Sequence, residues 1–139
     1  MKDIEICYTS FDKILKYLKA YSHNEMKNYN LTPNEIQVLS NLDTKCTSSE
    51  IAKQVNVSKA LVSRSVKLLL QKGYITATLS EIDKREFVIK LTESGEEVRN
   101  KIMSVKDTFT KRAFQDFGEE EFTVLKALLG LVLRNLGLN

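Results

Sequence analysis

The chain is poor in residues that break helices: one proline and five glycines in 139 residues. That scarcity favours helices over many loops. Cysteine is also scarce. Cys7 and Cys46 lie far apart in sequence, and in a reducing compartment the default is two free thiols. No apolar run reaches transmembrane length, and the opening MKDIEICYTS lacks a signal-peptide core. A cytoplasmic chain without a membrane partner is expected. The only histidine, His23, falls in the first helical segment with Glu25 near it, and reads as a polar surface or interface residue. There is no glycine-rich phosphate loop, no Asp/His/Cys group at metal spacing, and no acid–base or nucleophile set. Neither an enzyme, nor a cofactor, nor a metal is expected.

Acidic residues are missing from one long segment. Between Ile51 and Ser80 there are five bases (Lys53, Lys59, Arg64, Lys67 and Lys72) and no acid. From Glu93 to Glu121, eight acids face five bases. The net charge is only +3, but this distribution suits a surface that meets a polyanion on one side. Charged residues at 28% and apolar ones at 42% indicate a globular chain, long enough for one domain. A chain of this length buries roughly 68–70% of its unfolded surface and needs no metal or disulfide to fold.

Helical spacing of Phe11, Ile14, Leu15, Leu18 and Tyr21 predicts an amphipathic helix from Ser10 to Asn28. Thr32-Pro33-Asn34-Glu35 is a capping box with proline at the first helical position, and opens a helix ending near Asp43. Thr47-Ser48-Ser49-Glu50 is a second capping box, for a short helix with Ile51, Ala52 and Val55 inward. Asn56 stands where the chain must turn, with Val57 plugging the turn. Ser58 caps the next helix, whose stripe Val62, Val66 and Leu69 points inward and which Gly73 ends. Tyr74–Leu79 and Phe87–Leu91 are β-rich runs around a polar tip, Ser80–Glu86. Ile75, Ala77 and Leu79 share one face, as do Phe87, Ile89 and Leu91. Thr92 caps a helix running toward Phe117, and Glu119-Glu120-Glu121 opens a last one. That last helix, with Phe122, Leu125, Leu128, Leu129, Val132, Leu133 and Leu136, is too apolar for a lone surface helix. The first helix is too apolar in the same way. Both are expected to pack against a partner chain.

Ala52, Asn56 and Val62 occupy the crossing, turn and anchor places of a helix-turn-helix. The second helix exposes Lys59, Ala60, Ser63, Arg64 and Lys67 beside its buried stripe. Ala60 and Ser63 are small enough to admit base edges, and Arg64 suits guanine or phosphate. Ser58 and the helix N-terminus offer N–H groups and a positive dipole to a phosphate. The plainer alternative is a solvated lysine-bearing helix face.

Asp83-Lys84-Arg85, followed by Leu91-Thr92-Glu93-Ser94-Gly95, resembles the D-x-R…L-T-x-x-G signature of the MarR family of winged-helix regulators. Leu31-Thr32-Pro33, Val57-Ser58-Lys59 and Leu69…Lys72-Gly73 also fit that family's pattern. The chain is equally similar to the related SarA-type branch. The resemblance spans nearly the whole chain. It implies a mainly α fold with a small β-hairpin wing: a winged helix-turn-helix at about residues 31–92, and dimerisation helices at about 8–29 and 93–137. It implies a homodimeric regulator of transcription, usually a repressor, bound to double-stranded DNA at a near-palindromic operator. Arg85, with Lys84, would enter the minor groove, and the Ser58–Lys72 helix the major groove. Narrow minor grooves attract arginine, and Asp83 is placed to orient that guanidinium or brace the wing. Glu81 and Glu86 depart from a basic wing and leave its tip close to neutral.

The family also implies release by a small aromatic or anionic effector, in a cleft walled here by Phe11, Tyr17, Tyr21, Ile36 and Leu39. Those residues serve equally as core. One branch senses peroxide through a cysteine near the start of the first helix, with tyrosines nearby. Cys7, with Tyr8, Tyr17, Tyr21 and Tyr29, is similar; a buried inert thiol is the simpler account. Cys46, ahead of a capping box, reads as structural. The competing function is a winged-helix module that binds protein without DNA, though such modules usually lose the basic helix that is intact here.

Overall fold

Four helix starts are capped by the side chains that the spacing marks. In a computed structural model describing residues 2–42, 45–55 and 57–138, Glu35 N–H donates to Thr32 Oγ1 at 3.2 Å, and Thr32 N–H donates back to Glu35 Oε1 at 3.0 Å. Thr47, Ser58 and Thr92 accept in the same way from Glu50, Leu61 and Gly95. Each cap satisfies an N–H that the first helical turn leaves without a partner.

The elements run α1 (Lys2–Met26), a 3-10 turn (Lys27–Tyr29), α2 (Pro33–Ser40), β1 (Cys46–Thr47), α3 (Ser48–Val55) and α4 (Lys59–Gln71). They continue with β2 (Ile75–Leu79), β3 (Phe87–Leu91), α5 (Glu93–Ala113) and α6 (Glu119–Asn135). This is the mainly α, winged helix-turn-helix class, with one strand more than foreseen. β1 pairs antiparallel with β3, giving a sheet in the order β1-β3-β2. The first helix begins at Lys2 rather than Ser10, because Asp3 and Glu5 suit a first turn and nothing before Ser10 breaks the helix. Asn56, the proposed turn residue, and Asp43, the proposed helix end, lie outside the described residues.

The chain divides into two compact units, one ending at Lys106 and one starting at Asp107, with α5 continuous between them. In the first unit the core gathers Met26, Val38, Leu39, Leu42, Ile51, Val62, Leu69, Ile75, Ile89, Val98, Ile102 and Val105. The helices from the end of α1 to the first part of α5 and the strands β2 and β3 contribute to it, with Tyr29 of the 3-10 turn and Cys46 of β1 packed against it. The buried stripe of α4 is Val62, Ser65 and Leu69, with Val66 only half-buried. Ile75 and Ile89 carry the sheet's inner face, whereas Leu79 and Phe87, paired at its far end, are about half exposed. They extend past the core that would cover them. In the second unit Phe114, Phe117 and Phe122 cluster, with ring centroids 5.1–5.7 Å apart. α6 buries none of its residues and exposes Leu128, Leu131, Val132 and Leu133, with Leu136 exposed just past its end. α1 likewise exposes Ile4, Ile6, Phe11, Ile14 and Leu15.

Two polar junctions hold α4. Glu35 is fully buried, and Lys72 Nζ meets its Oε2 at 2.7 Å while donating to the Asn30 carbonyl at 2.7 Å. Asn30 takes the left-handed conformation, at φ 52°. The buried charge is thus paired and hydrogen-bonded, as burial requires. The second junction lies one residue on. Gly73, at φ 77°, ends α4, with Tyr74 N–H returning to the Leu69 carbonyl and Gly73 N–H to that of Leu70. Thr92 Oγ1 donates to the Gly73 carbonyl at 2.6 Å, and Thr92 N–H to the Tyr74 carbonyl at 3.0 Å. A Cβ on Gly95 would stand 1.8 Å from that Tyr74 oxygen. The L-T-x-x-G signature is therefore a packing device: threonine ties the wing's end to the end of α4, and glycine lets α5 close over the tie. Gly95→Ala is expected to cost about 3 kcal/mol by forcing these backbones apart. Chemical denaturation at fixed protein concentration checks this; an unchanged midpoint would show that the contact is not needed.

Candidate nucleic-acid interface

α4 lies on the core through one face, so its other face is presented outward. Ser58, Lys59, Ala60, Ser63, Arg64 and Lys67 are all exposed. Ala60, Ser63, Arg64 and Lys67 follow helical spacing and form one strip. Ser58 Oγ accepts from Leu61 N–H, which leaves its own O–H to donate outward. Lys72 does not join this strip, because Glu35 and Asn30 hold it.

The wing tip is a compact, self-bonded turn. Ser80 N–H donates to the Glu86 carbonyl at 2.9 Å, and Ser80 Oγ accepts from Ile82 and Asp83 N–H groups. Asp83 Oδ1 accepts from both the backbone N–H and the Nε of Arg85, at 3.0 and 3.1 Å, and Oδ2 lies 3.4 Å from Nη2. The Arg85 side chain is 91% exposed, so Asp83 aims a guanidinium that stands in solvent. The Arg85 side chain and backbone hydrogen bonds hold the Asp83 carboxyl below its ordinary value. Lys84 is exposed beside them, and Ile82 is wholly exposed.

Glu86 changes the charge count of this tip. Its carboxylate does not face outward with Arg85 but turns back to the helix-turn-helix. Ser49 Oγ, in the first turn of α3, donates to Glu86 Oε1. Lys59 Nζ, on the first residue of α4, lies 3.7 Å from the same oxygen. The Ser49 hydroxyl above all, helped by the Thr47 side chain and the Lys59 charge, holds the Glu86 carboxyl below its ordinary value despite desolvation. Among the acids near the tip, only Glu81 stands exposed without such a role. Nothing in the spacing pointed to Glu86, since Ser49 lies 37 residues away in the chain.

The remaining candidates are scattered. Cys7 is exposed on α1, not buried as the simpler account had it, and Cys46 is half-buried in β1. Of the supposed effector cleft, Leu39 is fully buried core, Tyr21 and Ile36 pack against that core, and Phe11 and Tyr17 are exposed. Tyr17 stacks on Tyr21 with ring centroids 6.2 Å apart. His23 is exposed. Among the described residues no group of three His, Cys, Asp or Glu side chains could hold a metal ion, and no helix is long and apolar enough to cross a membrane.

Comparison with known proteins agrees with this geometry. The HTH-type transcriptional regulator BilQ of Clostridioides difficile (strain CD3) is 28% identical over 119 residues, covering 84% of this chain and 80% of that protein. AbsC, a MarR family regulator from Streptomyces coelicolor, superposes with a TM-score of 0.80 at 21% identity, covering 95% of this chain and 93% of the other. Streptococcus pneumoniae FabT, solved in complex with DNA, gives a TM-score of 0.80 at 20% identity over 96% of both chains. At these identities the structural likenesses speak for the fold. The family model described as transcriptional regulator SarA/Rot matches residues 20–102, which takes in the end of α1, the helix-turn-helix, the wing and the start of α5. On the winged-helix fold of the MarR regulators, the chain belongs to the SarA/Rot family of transcriptional regulators.

Proposed function

We propose that the protein regulates transcription as a homodimer that reads double-stranded DNA through two grooves. The observation carrying this is the pairing of an exposed basic strip on α4 with an exposed, carboxylate-aimed Arg85 at the wing tip. A helix of 13 residues with Ala60 and Ser63 on its outer face fits the major groove. Arg85 and Lys84 fit the negative potential of a narrow minor groove. An interaction module without DNA binding has no use for such a strip.

The exposed apolar faces of α1 and α6 support the dimer, because faces of that size on a lone chain favour association. The dimerisation helices are those near residues 8–29 and 93–137, flanking a winged helix near 31–92. Two-fold symmetry then asks for a near-palindromic operator, with half-sites about one helical turn or a multiple apart. Occupying an operator blocks transcription most simply, so the regulator acts as a repressor in the cytoplasm. Its release falls to a small aromatic or anionic effector or to oxidation of the exposed Cys7 thiol.

Selection of duplexes from a randomised library tests DNA reading directly. Enrichment of no sequence would leave the protein-binding alternative. Arg85→Ala is expected to weaken binding of the selected duplex several-fold while the dimer stays folded. Equal affinities in a gel-shift titration would remove the wing from DNA contact. Affinity for that duplex is also expected to fall steeply with salt, because Lys59, Arg64, Lys67 and Arg85 of each subunit meet phosphates, each contact adding about 0.9 to the log–log slope. A flat response would contradict a phosphate interface. A signal carried by Cys7 would make organic peroxide release the wild-type protein but not Cys7→Ser; release of both, or of neither, takes Cys7 out of the signal and leaves the small effector.

A further inference from the structure

The wing joins α4 covalently through Lys72–Tyr74, at the C-terminal end of that helix. Lys59, at its other end, lies about 20 Å away along the axis. Glu86 bridges this distance from the opposite side. As the last residue before β3, it brings one carboxylate to Ser49 at the start of α3 and to Lys59 at the start of α4. Its side chain is only 16% exposed, whereas that of Lys59 is 68% exposed. A carboxylate beside a phosphate-facing surface opposes binding to every sequence alike. It is held here by two elements at once, α3 and α4.

Resting on the reading of this surface as a DNA interface, we propose that Glu86 is a positioning and specificity residue. It pins the wing to the first turns of α3 and α4, and it restrains Lys59 from indiscriminate phosphate contact. Sequence-independent affinity for DNA comes from neutralised phosphates. A lysine that must leave an internal carboxylate to reach a phosphate adds little to that affinity. Discrimination is a difference between two affinities, so lowering the non-specific one raises it. The Ser49 hydrogen bond does not involve Lys59, so the wing stays braced when Lys59 turns to an operator phosphate. Charge and brace can therefore be separated. Glu86→Gln keeps an oxygen acceptor for Ser49 and removes only the charge.

The experiment measures anisotropy of two labelled duplexes over a salt series. One is of mixed sequence, and the other is selected by the wild-type protein from a randomised library. The proteins are wild type, Glu86→Gln, Lys59→Gln and the double variant, each confirmed as folded by its thermal midpoint. Glu86→Gln is expected to bind the mixed duplex several-fold more tightly, with a slope of log affinity against log salt steeper by about 0.9 per subunit. Its preference for the selected duplex falls accordingly. Lys59→Gln alone leaves the mixed-duplex slope as in wild type, and in that background Glu86→Gln no longer changes it. A Glu86→Gln protein with wild-type slope and preference would overturn the proposal, as would a slope change that persists without Lys59. If Glu86→Gln does not fold, Lys59→Gln still decides: a shallower mixed-duplex slope means that Lys59 was never restrained. Wild-type protein that binds neither duplex would instead refute the interface itself.

Discussion

A single backbone oxygen, the carbonyl of Tyr74, is the point on which the winged half of the molecule closes. It follows the left-handed Gly73, accepts the Thr92 N–H, and lies against the bare Cα of Gly95. The end of α4, both strands of the wing and the start of α5 meet there. A helix end normally leaves carbonyls without partners. Here the Gly73 carbonyl receives two hydroxyls, Thr92 Oγ1 and Ser94 Oγ, from the start of the next helix. The orientation of the hairpin relative to α4 is thus set by hydrogen bonds whose geometry tolerates little drift.

The handling of charge follows one pattern. The segment from Ile51 to Ser80 has no acid of its own, yet two of its bases are met by acids from elsewhere in the chain. Glu35 holds Lys72 inside, and Glu86 stands near Lys59 at the rim. On the wing, Asp83 does the same for Arg85 at a separation of two residues. The exposed Asp83 fixes the place of a cation more than it lowers the energy, since exposed pairs contribute little to stability, whereas Lys72 meets a carboxylate that burial would otherwise leave uncompensated. What remains turned outward is a short strip on α4 and one aimed guanidinium.

Most of the fold was legible because its signals are local. Thr32, Ser58 and Thr92 cap where their spacing says, Gly73 ends α4, and the alternation of Ile75, Ala77, Ile89 and Leu91 marks the sheet. The failures have a common cause in contacts distant along the chain. Two residues, Cys46 and Thr47, are too few to show alternation, so β1 could be found only from its partner β3. Glu35 read only as the closing residue of a capping box, and its pairing with Lys72 is a contact across 37 residues of chain. Ser65, polar and not foreseen inward, is buried beside Val62 and Leu69, while Val66 packs half-buried against the same core. At the candidate site, the exposed residues of α4 and the Asp83–Arg85 contact follow from short spacing. Glu86 read as a charge that weakened the wing, and only the folded chain shows where it points.

β1 has a mechanical consequence for the wing. A two-stranded ribbon is marginal by itself in water. Pairing Cys46 with Ile89 and Thr47 with Val88 adds a third strand, but only along part of β3. Support from β1 stops before Phe87, where the far end of the hairpin begins. The wing is therefore held at two places, by the sheet at its root and by the Glu86–Ser49 contact nearer its tip, and it carries its guanidinium on the turn beyond them. Between these two holds and the tip only residues 81–85 are left, and Arg85 stands on them in solvent. A change in the direction of that guanidinium thus needs rearrangement of one short turn and leaves the packing of α4 on the core as it is.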